Sequence, residues 1–270
     1  MATKRKAPAE APSEVKPKFT TFHYHACAHA FSGQFTRPFQ DLIEVQAPSA
    51  LPIIGGHGNS RVSDFQFREF VSFKNGYTHV SGAHQEDDQS HNTLVTATLE
   101  HLNVMDVLTA DRVVARLYSK TRKDHREGEF TLVGSKFENL KIAGHIVHVD
   151  LDFDLFAKIP TFEAAKNAFK ANEEFRKIAL DPFGHNIAVE PQDDSGVFLC
   201  TCVKEMTADF PGVTKKGHSF HVKGFGTIFL GEVLIRRAER TLTMIRLELG
   251  SAVSGKGTGA QAFSNGRTWP

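Results

Sequence analysis

The chain has 270 residues, 40% hydrophobic and 23% charged, with 32 Lys and Arg against 31 Asp and Glu. A formal charge of +1 excludes a whole-molecule field that would draw the protein onto nucleic acid or an anionic membrane. No run approaches the roughly 20 apolar residues of a membrane-spanning helix, and the opening MATKRKAPAE lacks the apolar segment of a signal peptide, so a cytoplasmic location is expected.

Residues 1–18 combine Pro, Ala and basic residues with almost nothing to bury, which predicts a disordered arm. Any nucleic-acid contact is expected to be weak and to run through Lys4, Arg5 and Lys6 of that arm. The 23 Phe against 3 Tyr and 1 Trp predict a Phe-rich core, because Phe buries a large area without a polar handle.

The stretch FHYHACAHAF, residues 22–31, places His23, His25, Cys27 and His29 at every second position. On a strand they share one face, with Phe22, Tyr24, Ala26 and Ala28 on the other facing the core. Alternate side chains stand about 6.5 to 7 Å apart, so a neighbouring pair can chelate Zn or Fe while His23 and His29 cannot share one ion. A complete site needs a ligand from another strand.

From there alternation dominates. RVSDFQFREFVSF, YTHVSG, TLVTATLEHLNV, RVVARLYS, FENLKIAG and HIVHVDLDFDLF read as strands, while GGHGNS and KGFGTIFLG read as turns around their glycines. A weak repeat links Phe65-Gln66-Phe67, Leu102-Asn103-Val104 and Leu140-Lys141-Ile142, at spacings of 37 and 38 residues. Each is followed by a second strand, as a repeating β-unit requires.

SGQFTRPFQDLIEV, the LPIIGG turn, TATLEHLNVMDVLTADRVVARL and GSKFENLKIAG together give residues 32–144 a weak resemblance to bacterial choice-of-anchor P type β-proteins. The resemblance implies a β fold and no chemistry, since that family has no assigned activity. Its members are usually exported; this chain differs in lacking an export signal and in its greater content of His, Phe and charge.

In VHVDLDFD, His148, Asp150, Asp152 and Asp154 alternate with apolar residues, so on a strand they form a second polar stripe able to offer oxygens to Ca or Mg. TFEAAKNAFKANEEFRKIAL, about 161–180, then breaks the rule: its apolar residues fall on one helical face, Thr161 is a candidate N-cap, and Asp181-Pro182 stop it. VFLCTCVKEM, SFHV and the hairpin of TIFLGEVLIRR and TLTMIRLEL, joined by the short RAER stretch, return to strands. Cys200 and Cys202 sit among apolar residues and read as buried, reduced thiols. Residues 251–270 are Gly-rich and read as a tail.

The predicted architecture is mainly β: an antiparallel β-sandwich or β-solenoid-like stack over residues 19–250, with one inserted amphipathic helix and an arm at either end. Nucleophile elbows, phosphate loops, H-E-x-x-H and C-x-x-C are all absent from the sequence. The function expected first is therefore a non-enzymatic β-scaffold that forms a homo-oligomer or binds a protein partner through strand edges and terminal arms, without a resident cofactor. The alternative is a metal-dependent hydrolase or oxygen-handling enzyme holding Zn, Fe or Ca on His23, His25, Cys27, His29, His148, Asp150 and Asp152. A third reading is a site for a small apolar ligand.

Overall fold

The alternating segments pair into two large antiparallel sheets and two two-stranded ones in the computed structural model, which describes residues 21–123, 125, 127–180, 196–207, 210–250 and 252–269. Nine strands form the frame: β1 Ala26–Arg37, β2 Asp41–Gln46, β3 Gly56–Phe67, β4 Val71–Gln85, β5 Ser90–Val104, β6 Leu108–Arg122, β7 Gly226–Arg236, β8 Glu239–Leu249 and β9 Ser254–Ser264. The first sheet is a meander with β3 at one edge, then β4, β5 and β6, extended beyond β6 by short pieces from residues 129–146. The second sheet runs β7-β8-β9-β1-β2, with Phe198–Thr201 and Ser219–Val222 both beside β7.

The layers face each other, with β1 against β4 and β5, and β9 against β5 and β6. This is the sandwich arrangement. Between them lies the expected Phe-rich core, in which Phe35 stacks on Phe67 at 5.5 Å and Phe65 on Phe73 at 4.7 Å. Phe31, 1% exposed, sits at its centre.

Five sequence expectations are corrected by the fold. The Gly-rich end is no tail: β9 lies between β8 and β1 in the middle of a sheet, and Arg267–Trp269 pairs with Thr21–His23. Its glycines serve packing, since a side-chain carbon would lie 3.2 Å from Ser32 O at Gly257 and 3.1 Å from Leu99 Cδ1 at Gly259. The β1 backbone beside them and Leu99 of the facing sheet thus leave little room for side chains, and a composition typical of loops becomes a core strand. Within RVSDFQFREFVSF, Arg68 at φ 50° turns the chain between β3 and β4. GGHGNS, expected as a turn, supplies the first residues of β3 from Gly56 onward.

The VHVDLDFD stripe is also cut short. Only Val149–Leu151 is a strand, paired with Val203–Met206, because the Asp152 carboxylate accepts a hydrogen bond from Leu155 N at 2.9 Å and caps a helix over Phe153–Lys158. His148, Asp150, Asp152 and Asp154 therefore do not line one strand face. The helix expected over 161–180 divides into Phe162–Ala171 and Glu173–Ile178, because the Asn172 side chain accepts from Glu174 N and Phe175 N and starts a second helix. Phe162, Phe169 and Phe175 surround Phe198, so the helices cover the part of the second sheet that the meander leaves bare. The arm over 1–18 lies outside the described residues.

Both sheets share a device that simple alternation hides. In the second sheet a row crosses Ala30, Ala260, Met244 and Gly231, where ladder pairing lapses while the register continues unchanged on both sides, and ends at Cys202, beyond which the pairing with β7 stops. Ala260 has φ 49° and Gly231 φ 62°. In the meander the matching row is Asp64, Lys74, His101, Asp111 and Asn139, with φ of 51°, 53° and 48° at Asp64, His101 and Asn139. Asp, His and Asn are the non-glycine types that enter this region most readily. These three positions immediately precede the three members of the sequence repeat, so its spacing is that of successive bulged hairpins. Arg68, Met105 and Ala143, four residues further on, repeat the positive φ at the hairpin turns.

Candidate functional site

A bulge row changes which side chains meet. On a regular strand, residues three apart point to opposite faces. In the second sheet the row turns two consecutive residues inward on each strand, such as Ala30 and Phe31 or Met244 and Ile245, all at most 1% exposed. The flanking residues then share the outer face: His29 with Ser32, Thr258 with Gln261, Thr243 with Arg246, and Phe229 with Glu232. Cross-strand registers place them side by side in one polar band.

At one end of the band, His29 Nε2 lies 3.1 Å from Thr258 Oγ1 and 3.3 Å from Ser32 Oγ, and the two hydroxyls are 3.0 Å apart. Burial lowers the His29 pKa below that of an ordinary imidazole, so its ring is neutral at pH 7. At the other end, Arg246 grips Glu232 with Nε at 2.6 Å from Oε2 and Nη2 at 2.9 Å from Oε1, while His218 Nε2 stands 3.1 Å from Oε1. Desolvation alone would raise the Glu232 pKa. The bonds from Arg246 and His218 outweigh it and bring the carboxyl to about 2. Arg246 also lies over the Phe229 ring at 3.6 Å and pairs with Glu248. Gln261 Nε2 donates to Thr243 Oγ1 at 2.8 Å between the two ends.

A trough of about 420 Å³ runs beside this band. Ser32, Thr258, Lys256 and Gln34 form its floor, and Leu42 and Val45 rise along β2 as its apolar wall, 65% and 49% exposed. The Ser32 hydroxyl has an imidazole beside it, yet among the described residues no carboxylate bonds the His29 ring. That is the orienting group a Ser-His nucleophile requires. The chemistry on offer is hydrogen bonding and apolar contact.

The sequence candidates fall elsewhere in part. Phe22, Tyr24, Ala26, Ala28 and Ala30 are buried while His25 and Cys27 are exposed, so the two faces of that stretch divide as its pattern predicts. His23 belongs to the short strand paired with Arg267–Trp269, and His29 alone of the stripe joins the band. Asp150 faces Glu205 across the Val149–Leu151 pairing, and His148 is tied by backbone to Thr207. Among the described residues no three His, Cys, Asp or Glu side chains gather closely enough to hold one metal ion. Cys200 and Cys202 are free and fully buried; burial pushes both thiols up, Cys202 to about 12.

A second cluster joins residues that sequence reasoning kept apart. His91 Nδ1 is 2.9 Å from Tyr24 Oη, its ring stacks on Phe22 at 4.1 Å, and the His84 ring is 4.8 Å away. Burial, then the neighbouring His84, lowers the His91 pKa. Ser32, Thr258, Glu232, Arg246 and His218 were not sequence candidates. The row that aligns most of them is built on Ala30, Ala260, Met244, Gly231 and Cys202, which read as ordinary core residues.

A family model described as a domain of unknown function (DUF8256) matches residues 22–190 and 180–236, well over half of the chain. No curated protein and no solved structure matches it.

Proposed function

The chain belongs to this family of unknown function, and we propose that it is a non-enzymatic β-scaffold that associates with a second copy of itself through strand β3. The observation that carries the reading is the edge of the meander. β3 runs twelve residues from Gly56 to Phe67 and pairs on one side with β4, while its other side has no ladder partner among the described residues. A long open edge offers a row of backbone donors and acceptors, and soluble proteins usually shorten, cover or charge such edges. Beside its start, Ile53 and Ile54 are 57% and 88% exposed, which adds apolar area to the same border. Pairing with the same strand of another copy satisfies the backbone groups and closes with two-fold symmetry.

The terminal arms are poor places to test this, because removing residues 251–270 deletes β9. Exposed side chains on β3 are better. Asn59→Lys with Ser63→Lys puts cations on both sides of Arg61, and an antiparallel partner strand brings the same three charges opposite. Light scattering behind size exclusion is expected to give twice the chain mass for the natural protein and the monomer mass for the folded double variant. A natural protein that stays monomeric at every concentration, or a double variant that remains a dimer, rejects the reading.

A further inference from the structure

We propose that the trough on the outer face of the second sheet binds a single-chain monocarboxylate amphiphile, its chain along Leu42 and Val45 and its head at Lys256 beside Ser32 and Thr258. Three independent features converge on this site. Its volume of about 420 Å³ lies within the range of small-molecule sites, roughly 300 to 1,000 Å³. Its wall presents two large aliphatic side chains that remain exposed although inward positions were available on the same strand, where Ile43 is 3% exposed. Its floor combines hydroxyls aligned by the bulge row with an ammonium group that has no carboxylate within ion-pair reach among the described residues.

Charge selects the head group. Arg246 is occupied by Glu232 and Glu248, which leaves Lys256 as the free cation of the trough. Glu44 and Glu248 also line it and offset the two cations, so a doubly charged phosphate is repelled and a head with one negative charge is held by direct contact with Lys256 rather than by the net charge of the lining. Ser32 and Thr258 hydroxyls donate to a carboxylate oxygen in place of each other or of the neutral His29 ring. The inference does not depend on self-association: the trough is floored by β1, β8 and β9 and walled by β2, whereas the proposed interface is β3.

Sodium decanoate below its micelle threshold, with decanol as the uncharged control, is the probe. Titration by calorimetry and by backbone chemical shifts is expected to saturate at one equivalent, with shifts confined to residues around Ser32, Lys256 and Thr258. Decanol is expected to bind about tenfold or more weakly, the equivalent of losing one charge-assisted contact. Lys256→Met removes the preference for decanoate without changing decanol binding, and Leu42→Ser with Val45→Ser weakens both. All three positions are at the surface, so circular dichroism checks that each variant is folded. Equal affinity for the two probes, an unchanged preference in Lys256→Met, shifts located elsewhere, or no saturation up to a Kd of about 1 mM each overturn the proposal.

Discussion

Replacing Gly231 with Ala tests the bulge row where it is most exacting. Gly231 has φ 62°, and a side-chain carbon there would lie 2.9 Å from Cys202 Sγ and 3.0 Å from Val203 Cγ2. The left-handed conformation costs an alanine about 1 to 2 kcal/mol. Overpacking a filled interior adds about 1 to 3 kcal/mol, because Cys202 and Val203 are themselves buried and cannot swing aside. The expected loss is about 3 kcal/mol, a large part of a typical folding stability of about 5 to 15 kcal/mol. Gly144 supplies the control: it has φ 80° but nothing within 4 Å of an added carbon, so Gly144→Ala pays the conformational part alone, about 1 kcal/mol. Urea unfolding of both variants, followed by circular dichroism, separates the two contributions through the midpoint at constant slope. Equal losses in the two variants, or a loss below about 1 kcal/mol at Gly231, would show that Cys202 and the row do not press on this residue.

Three further outcomes follow from buried groups. Glu232 has a folded pKa of about 2 against about 4.3 in an unfolded chain. A depressed carboxylate stabilises above its unfolded pKa and loses that contribution as pH falls toward the folded value, so about 3 kcal/mol disappears between about pH 5 and about pH 2. The stability gap between the natural protein and Glu232→Gln therefore narrows across that window, and parallel pH profiles would contradict it. Arg240, 3% exposed, donates to the carbonyl of Arg236 at 2.7 Å and faces Glu127, whose carboxylate also accepts from Phe162 N. Arg240→Met leaves that partly buried carboxylate without its cation and is expected to cost about 1 to 3 kcal/mol; a denaturation midpoint equal to that of the natural protein would show the pair to be dispensable. A thiol reagent is expected to modify Cys27 alone in the native protein and all three cysteines after denaturation, since Cys200 and Cys202 are buried and hard to ionise. A second fast native thiol would show that this part of the sheet opens.

Alternation made the sheets legible. Tyr24, Ala26 and Ala28 inward with His25 and Cys27 outward follow directly from period two, and so does the hairpin of β7 and β8 about Arg237-Ala238. What period two cannot express is its own interruption. The repeat at Phe65, Leu102 and Leu140 carried the signal, because the residues just before it are Asp64, His101 and Asn139, types that tolerate positive φ. In the second sheet the same geometry falls on Ala30, Ala260 and Met244, which reveal nothing, and the band of His29, Ser32, Thr258, Arg246 and Glu232 stayed hidden with it. Capping misled in the opposite direction. Asp152 continues a strand pattern by spacing, yet its carboxylate bonds Leu155 N and begins a helix, and local hydrogen bonding outranks periodicity there. Glycine content misread β9, because its glycines lie close against Ser32 O of β1 and Leu99 of the facing sheet.

Amide hydrogen exchange of Gly56–Phe67 as a function of protein concentration addresses the self-association of β3 most directly. Pairing through this edge predicts that outward amides of the strand exchange more slowly as the solution is concentrated, while those of β5 in the middle of the same sheet stay constant. Exchange along Gly56–Phe67 that is the same in dilute and concentrated solution would mean that this edge takes no second copy.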